Sequence, residues 1–319
     1  MKKWLTLIVT ICILVSLYFF VQATDMNQVM KSVSHVGYRF FVLIIVTGLA
    51  YLFATISWQY CLGDKRKTVS LGRLYLIRHI GETFTLFNPA SVVGGDSLKA
   101  VILSKYGVDV KRAAASVLLS RLMMMASQLS LFIASFITLL IQMPGLRTLD
   151  PESNMSGIFP FLVAKSKAFR SKIQSFLREV PPLIRENGKF MWLSALFAVL
   201  HWIFGALEFY FILNFLDIEI SLVQALVIDL GVVFFKTAGA FVPGQIGFEE
   251  YGNKIMLSIV GISSAEIWIT ASILRRARQL VWIGLAAAFY FLIVGKKKTE
   301  RLSEENDLVE EDGNPVYKP

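Results

Sequence analysis

Five stretches of this chain are apolar for long enough to cross a lipid bilayer: Trp4 to Val21, Phe40 to Tyr60, Ala113 to Ile141, Phe190 to Phe215 and Ala265 to Val294. A membrane-spanning helix needs roughly 20 predominantly apolar residues, and the sequence between these stretches is too short and too interrupted to build a soluble core. The first run, about 18 residues behind Met-Lys-Lys, is longer than the usual hydrophobic stretch of a cleaved leader. It is read as a retained helix with its lysines inside. The expected fold class is therefore all-α and integral to the membrane, a polytopic helical bundle.

Composition narrows the functions that such a bundle can have. Hydrophobic residues make up 55% of the chain and charged residues 17%, with a mean hydropathy of +0.60. A soluble domain sits nearer 45–50% apolar and about 25% charged. Cys12 and Cys61 are the only cysteines, and the histidines are His35, His79 and His201. No disulfide framework, zinc site or other metal or cofactor centre is expected. The net charge of +9 conceals a segregation, because Glu300, Glu304, Glu305, Asp307, Glu310, Glu311 and Asp312 crowd the last 21 residues. The basic excess of residues 1–298 flanks the apolar spans. That fits cytoplasmic loops and anionic lipid headgroups as partners, and it argues against nucleic acid. Residues 1–298 are read as one polytopic membrane domain and 299–319 as an acidic, disordered tail.

Two stretches break the pattern of simple spans. In residues 74–105 an apolar piece with Arg78, His79 and Glu82 runs into Asn88-Pro89 and then Gly94-Gly95-Asp96. A second short apolar piece follows, carrying Lys99. In residues 222–260 a similar interruption holds Asp229, Lys236, Pro243-Gly244, Gly247 and Glu249-Glu250. Each half is too short to cross alone, so both stretches are expected to be re-entrant helix pairs, tolerated where they are buried in protein or line a cavity. Sliding the chain by 154 residues lays Pro89 on Pro243, Asp96 on Glu250 and Arg121 on Arg275. The order span, broken pair, span with an arginine thus occurs twice, in halves of about 40–141 and 190–295. An internal repeat is expected, with a substrate site at the repeat interface. Keeping Lys65–Lys67, the basic 165–189 segment and Lys296–Lys298 on one side requires a further crossing after Ile141. Only the short run Ile158–Ala164 is available for it.

Several charges lie inside these apolar stretches. Arg121 follows Arg112 by nine residues, about 14 Å along a helix, which sets it near the middle of a bilayer core. A charge there costs about 2.5–3.5 kcal/mol on insertion scales. It must face a wet cavity or a partner, with Asp96, Glu82 and Glu250 the available carboxylates. Helices starting at the Gly94-Gly95-Asp96 turn and at the Pro243-Gly244 to Glu250 turn, through Gly247, would aim free N–H groups at a lipid phosphate. The alternative is that Asp96 and Glu250 only cap those helices. Arg78, Lys99 and Lys236 add positive charge to the same region, although Arg78 and Lys99 could instead extend to the interface. Asp229 and Glu208 are available to pair with Lys236 or to relay protons. Arg275-Arg276 fits either the cavity or the outer interface.

Arg78-His79-Ile80-Gly81-Glu82, the Asn88-Pro89 to Gly94-Gly95-Asp96 to Lys99 run, and Arg121 resemble the lysylphosphatidylglycerol synthase transmembrane-region family. Val242-Pro243-Gly244-Gln245-Ile246-Gly247-Phe248-Glu249-Glu250, followed by Arg275, is similar to its second hallmark, a P-G-x-x-G-x-x-E turn. The resemblance implies a flippase-like domain that binds or moves lipids, including aminoacyl-phospholipids and polyprenyl- or hopanoid-type lipids. The chain departs from that family at 142–164, where relatives carry a full span. After residue 298 no room is expected for the aminoacyl-transferase domain that some relatives append. The expected function is binding and translocation of a phosphate-bearing lipid in a multi-pass protein of the cell membrane, without catalysis. The alternatives are a lipid-modifying enzyme using Glu82, Asp96 or Glu250 as base, and a scaffold for a lipid-synthesising partner.

Overall fold

The computed structural model describes residues 25–87, 91–143, 188, 190–240 and 242–312, and every regular element among them is helical. The first apolar run and residues 144–187 lie outside the described residues, as does the Asn88-Pro89 join. Helix α1 (Met26–Val36) starts on Asp25, whose carboxylate accepts from the backbone N–H groups of Asn27 and Gln28. A single 3-10 turn over Gly37–Arg39 joins it to α2 (Phe40–Cys61). The stretch before the second span is therefore mostly helix, since Asp25 supplies the cap that starts it. α3 (Leu71–Phe87) and α4 (Ser91–Ser104) form a pair of shorter helices, followed by the long α5 (Val110–Gln142), which is capped by Asp109.

The order then recurs. α6 spans Phe190–Phe215, and α7 (Leu222–Ala238) and α8 (Phe248–Ile259) form a second short pair. α9 (Ala265–Asp312) is the long helix that follows. Ser221 and Gln224 build a reciprocal capping box at the start of α7. Among the described residues, Met26–Cys61, Val110–Gln142 and Phe190–Phe215 are long and apolar enough to cross a membrane. α9 carries arginines in its first half and continues to Asp312, so the acidic stretch expected to be disordered extends a helix through 299–312. Glu, Leu and Arg, strong helix formers, make up eight of those fourteen residues.

Three apolar clusters mark the ends of the bundle. Cys61, Leu62, Leu74, Leu103, Ala113 and Met191 pack together at one end. Leu139, Leu213, Ile220, Ala225, Leu257 and Val260 pack at the other, beside Phe40, Ile212 and Ala271. Both outer ends of the α3/α4 pair therefore sit at the first end, and both outer ends of the α7/α8 pair at the opposite one. α5 finishes at the second end, whereas α6 begins at the first.

Hydrogen bonds between helices compensate for the missing hydrophobic drive between segments that share an apolar surrounding. The Ser57 hydroxyl donates to the Ser194 carbonyl at 2.8 Å, and Ser194 returns the bond to Ser57 at 3.0 Å, tying α2 to α6. His201 Nδ1 lies 2.8 Å from the Ala50 carbonyl, and Trp202 donates to Met124 on α5 at 2.9 Å. Trp282 on α9 donates to Thr47 at 2.9 Å and lies over Gly48.

Glycines set the separation within each short pair. A Cβ on Gly95 would come within 2.5 Å of the Gly81 carbonyl oxygen, and one on Gly252 within 2.9 Å of Phe235 Cβ. Gly94 and Gly95 thus lie inside α4, which already begins at Ser91, and do not form the turn expected before a helix. Close approach of the α3 backbone makes glycine the residue that fits there. We expect Gly95→Val to lower the unfolding temperature of the detergent-purified protein, with an overpacking cost of about 1–3 kcal/mol. Gly72→Ala, where no atom lies within 4 Å of the added Cβ, is expected to leave it unchanged.

Candidate functional site

The first pair and α5 assemble one charge cluster. Lys99 donates to Glu82 at 2.5 Å and to Asp96 at 3.1 Å. Its stem runs over Gly81, where a Cβ would lie 2.6 Å from Lys99 Cε. Arg121 takes Asp96 in a fork, Nε at 2.6 Å from one oxygen and Nη2 at 3.0 Å from the other. Such bidentate pairs are among the strongest hydrogen bonds between side chains. Arg78 stands 3.9 Å from Glu82. The Lys99 side chain is 5% exposed and that of Arg78 12%, whereas Arg121 reaches 29% and Glu82 43%. The cluster is buried on its α4 side and open on the side of Glu82 and Arg121. Lys99 turns inward to Glu82 and Asp96 and does not extend to the interface, because two carboxylates sit within its reach.

The second pair, with α6 and α9, builds a deeper cluster. Arg275 contacts Asp229 at 3.2 Å, Glu249 at 3.3 Å and Glu208 at 3.7 Å, and its guanidinium lies 4.2 Å from the Phe209 ring centre. Arg278 meets Glu208 at 2.5 Å and donates to the Tyr51 hydroxyl at 3.1 Å. Lys236 meets Glu249 at 3.3 Å. Asp229 and Glu208, available in the sequence to pair with Lys236 or to relay protons, engage the α9 arginines. Glu208, Asp229, Glu249, Arg275 and Arg278 are all buried.

Glu250, the counterpart of Asp96, does two things. One oxygen accepts the Gly247 N–H at 2.8 Å and so caps α8, and the other pairs with Arg276. The two arginines of α9 therefore divide, Arg275 into the buried cluster and Arg276 to the start of α8. Beside this pair, Asp25, Gln28, Glu250, Trp268, Ser272 and Arg276 line a cavity of ≈ 330 Å³. Gly244 (φ 66°) and Gly247 (φ 82°) adopt the left-handed backbone that reverses the chain between α7 and α8. The Pro243–Gln245 turn packs against α3, so the tip of the second pair meets the first pair.

Arg278 and Tyr51 escaped the sequence reading. Arg278 follows Arg275 by three residues and shares its helix face, a signal that was available. Tyr51, on an apolar helix, gave none. It contacts the His79 ring edge-on at 4.8 Å, and His79 stacks on Trp282 at 4.8 Å, so an aromatic group lies between the two clusters.

Removing one partner of a buried ion pair costs about 3–5 kcal/mol, because the remaining charge is stranded. Arg275→Met is expected to destabilise the protein by that order, read as a drop in unfolding temperature and in yield of monodisperse material. Arg275→Met combined with Asp229→Asn should recover part of the loss. Arg121→Met, in the more exposed cluster, is expected to cost less.

A family model described as the lysylphosphatidylglycerol synthase TM region matches residues 4–288. No curated protein and no solved structure matches the chain. The matched span contains α1 to α8, α9 as far as residue 288, and both charge clusters. The chain is a helical membrane protein that belongs to the lysylphosphatidylglycerol synthase TM region family.

Proposed function

We propose that this protein binds a phosphate-bearing lipid headgroup between its two short helix pairs and carries it across the membrane as a flippase. The observation that carries the reading is the concentration of charged side chains on the two pairs and the long helices beside them, in an otherwise apolar bundle. Ionisable groups at such depth are costly and are usually functional. The clusters meet across the Pro243–Gln245 turn and α3, a position that a headgroup can occupy while its tails remain in the bilayer. Arg78, Glu82, Asp96, Lys99 and Arg121 form the accessible wall. Lys236, Pro243, Gly244, Gly247, Glu250 and Arg275 shape the opposing one. Charge-assisted hydrogen bonds there replace the water that the headgroup loses.

The two pairs act as re-entrant hairpins of an inverted repeat, one entering from each side of the bilayer. Three features support this. The helix order recurs, each pair begins and ends at one end of the bundle, and the two pairs use opposite ends. Each hairpin also holds an ion pair of its own, Glu82 of α3 with Lys99 of α4 and Lys236 of α7 with Glu249 of α8. The end carrying Lys65, Arg66, Lys67, Arg73, Lys105, Lys111 and Arg112 faces the cytoplasm of a cell-membrane protein. In a cysteine-free background, Lys111→Cys is expected to react with a membrane-impermeant maleimide only after permeabilisation, and Glu266→Cys in intact cells. Labelling of both positions from the same side would overturn the assignment.

Translocation itself is tested in proteoliposomes with a fluorescent phosphatidylglycerol quenched from outside. Wild-type protein is expected to expose inner-leaflet lipid to the quencher, and a Lys99→Met/Arg121→Met variant, compared at a temperature at which both proteins remain folded, to lose at least about 90% of that rate. Such a loss corresponds to about 1.4 kcal/mol or more. Equal rates would refute the role of these cations. Chemical conversion of the lipid by the purified protein would favour the enzyme reading.

A further inference from the structure

If headgroups enter this site, as proposed above, the charges on its accessible wall decide which headgroup fits. Among the described residues that wall has three cations, Arg78, Lys99 and Arg121, facing two carboxylates, Glu82 and Asp96. Its formal charge is +1. The deeper cluster sets Lys236, Arg275 and Arg278 against Glu208, Asp229 and Glu249, and is formally neutral. Only the first cluster leaves a charge for a ligand to neutralise.

The uncommitted cation within it is Arg78. Lys99 and Arg121 direct their donors at carboxylates at 2.5–3.1 Å. Arg78 reaches only one carboxylate oxygen, at 3.9 Å, and Lys99 already holds that oxygen at 2.5 Å. The Arg78 Nε is buried and donates to nothing. A guanidinium presents five N–H donors in a planar fork suited to the oxygens of a phosphate, and burial makes an unmade bond expensive. Glu82, 43% exposed on its side chain, stands at the mouth beside it.

We propose that Arg78 holds the phosphate and that the wall selects for a single negative charge, a phosphodiester monoanion. A phosphomonoester approaching a dianion would set its second charge against Glu82. A zwitterionic headgroup would leave the excess positive charge uncompensated in a low-dielectric surrounding, where charges interact strongly. Glu82 sets the permitted charge and Arg78 supplies the contact.

The test measures binding of phosphatidylglycerol, phosphatidylethanolamine and phosphatidic acid to the full-length protein in non-ionic detergent, by native mass spectrometry with thermal unfolding alongside. Wild type is expected to prefer phosphatidylglycerol over the other two by roughly tenfold, the worth of one charge-assisted hydrogen bond. Arg78→Gln should erase the preference. Arg78→Lys should keep the order with weaker binding, and it remains informative if the glutamine variant does not fold. Glu82→Gln, which raises the formal charge to +2, should move the preference toward phosphatidic acid. Lys254→Gln, exposed at the opposite end, should change nothing. Soluble glycerophosphoglycerol that competes with phosphatidylglycerol would show that the diester alone suffices. Failure to compete, with the lipid order intact, would assign the selection to the whole lipid. An unchanged order in Arg78→Gln and Glu82→Gln overturns this inference alone, whereas a wild type that binds none of the three lipids overturns the lipid-binding reading itself.

Discussion

An isolated charge inside an apolar bundle is too costly to leave without a partner, and the packing of this protein follows from meeting that requirement many times. Arg275 brings α6, α7 and α8 onto α9 through Glu208, Asp229 and Glu249. Arg121 and Lys99 fasten α5 and α3 to α4 through Asp96 and Glu82. Apolar packing by itself discriminates weakly between helices in a membrane, because lipid tails offer similar contacts. Ion pairs and the Ser57–Ser194 exchange supply directions that apolar contact lacks.

Glycine is the second condition, because charges can meet only where backbones can approach. Gly81 gives Lys99 its path to Glu82, and Gly95 admits α4 against α3. A side chain at any of these positions would hold apart the groups that must pair. The glycines that looked like turn residues in the first broken stretch therefore act as spacers within a helix. Gly244 and Gly247 in the second stretch do shape a turn.

The two clusters differ in a way that bears on function. One is buried except at Lys236 and its formal charges cancel, which suits a fixed structural centre. The other is partly open and carries one cation in excess, with Arg78 no nearer than 3.9 Å to a carboxylate oxygen. A bound anion is the natural complement of the second kind of site and not of the first. Tyr51 and His79, between the clusters, link the fixed centre to the open one through Arg278 and the Trp282 stack.

The sequence alone determined that this is a helical membrane protein, that residues 40–60, 113–141 and 190–215 are long helices, that two stretches are broken pairs of short helices, and which family it belongs to. Those features are local: span length, interruption by proline and glycine, and motif order are all written along the chain. It also marked Arg121, Lys99, Glu82, Asp96 and Arg275 as candidates, since a charge within an apolar run is conspicuous by itself. What the tertiary structure decided was pairing. Asp229 and Glu208 look equally available to Lys236 in one dimension, yet in the fold they meet Arg275 and Arg278 of α9. Arg78 and Arg121 look alike in sequence, yet one is held in a fork by Asp96 and the other is left with an unused donor. Such differences arise only when helices far apart in the chain come within a few ångströms, because hydrogen bonds and ion pairs depend on distances that residue spacing does not contain.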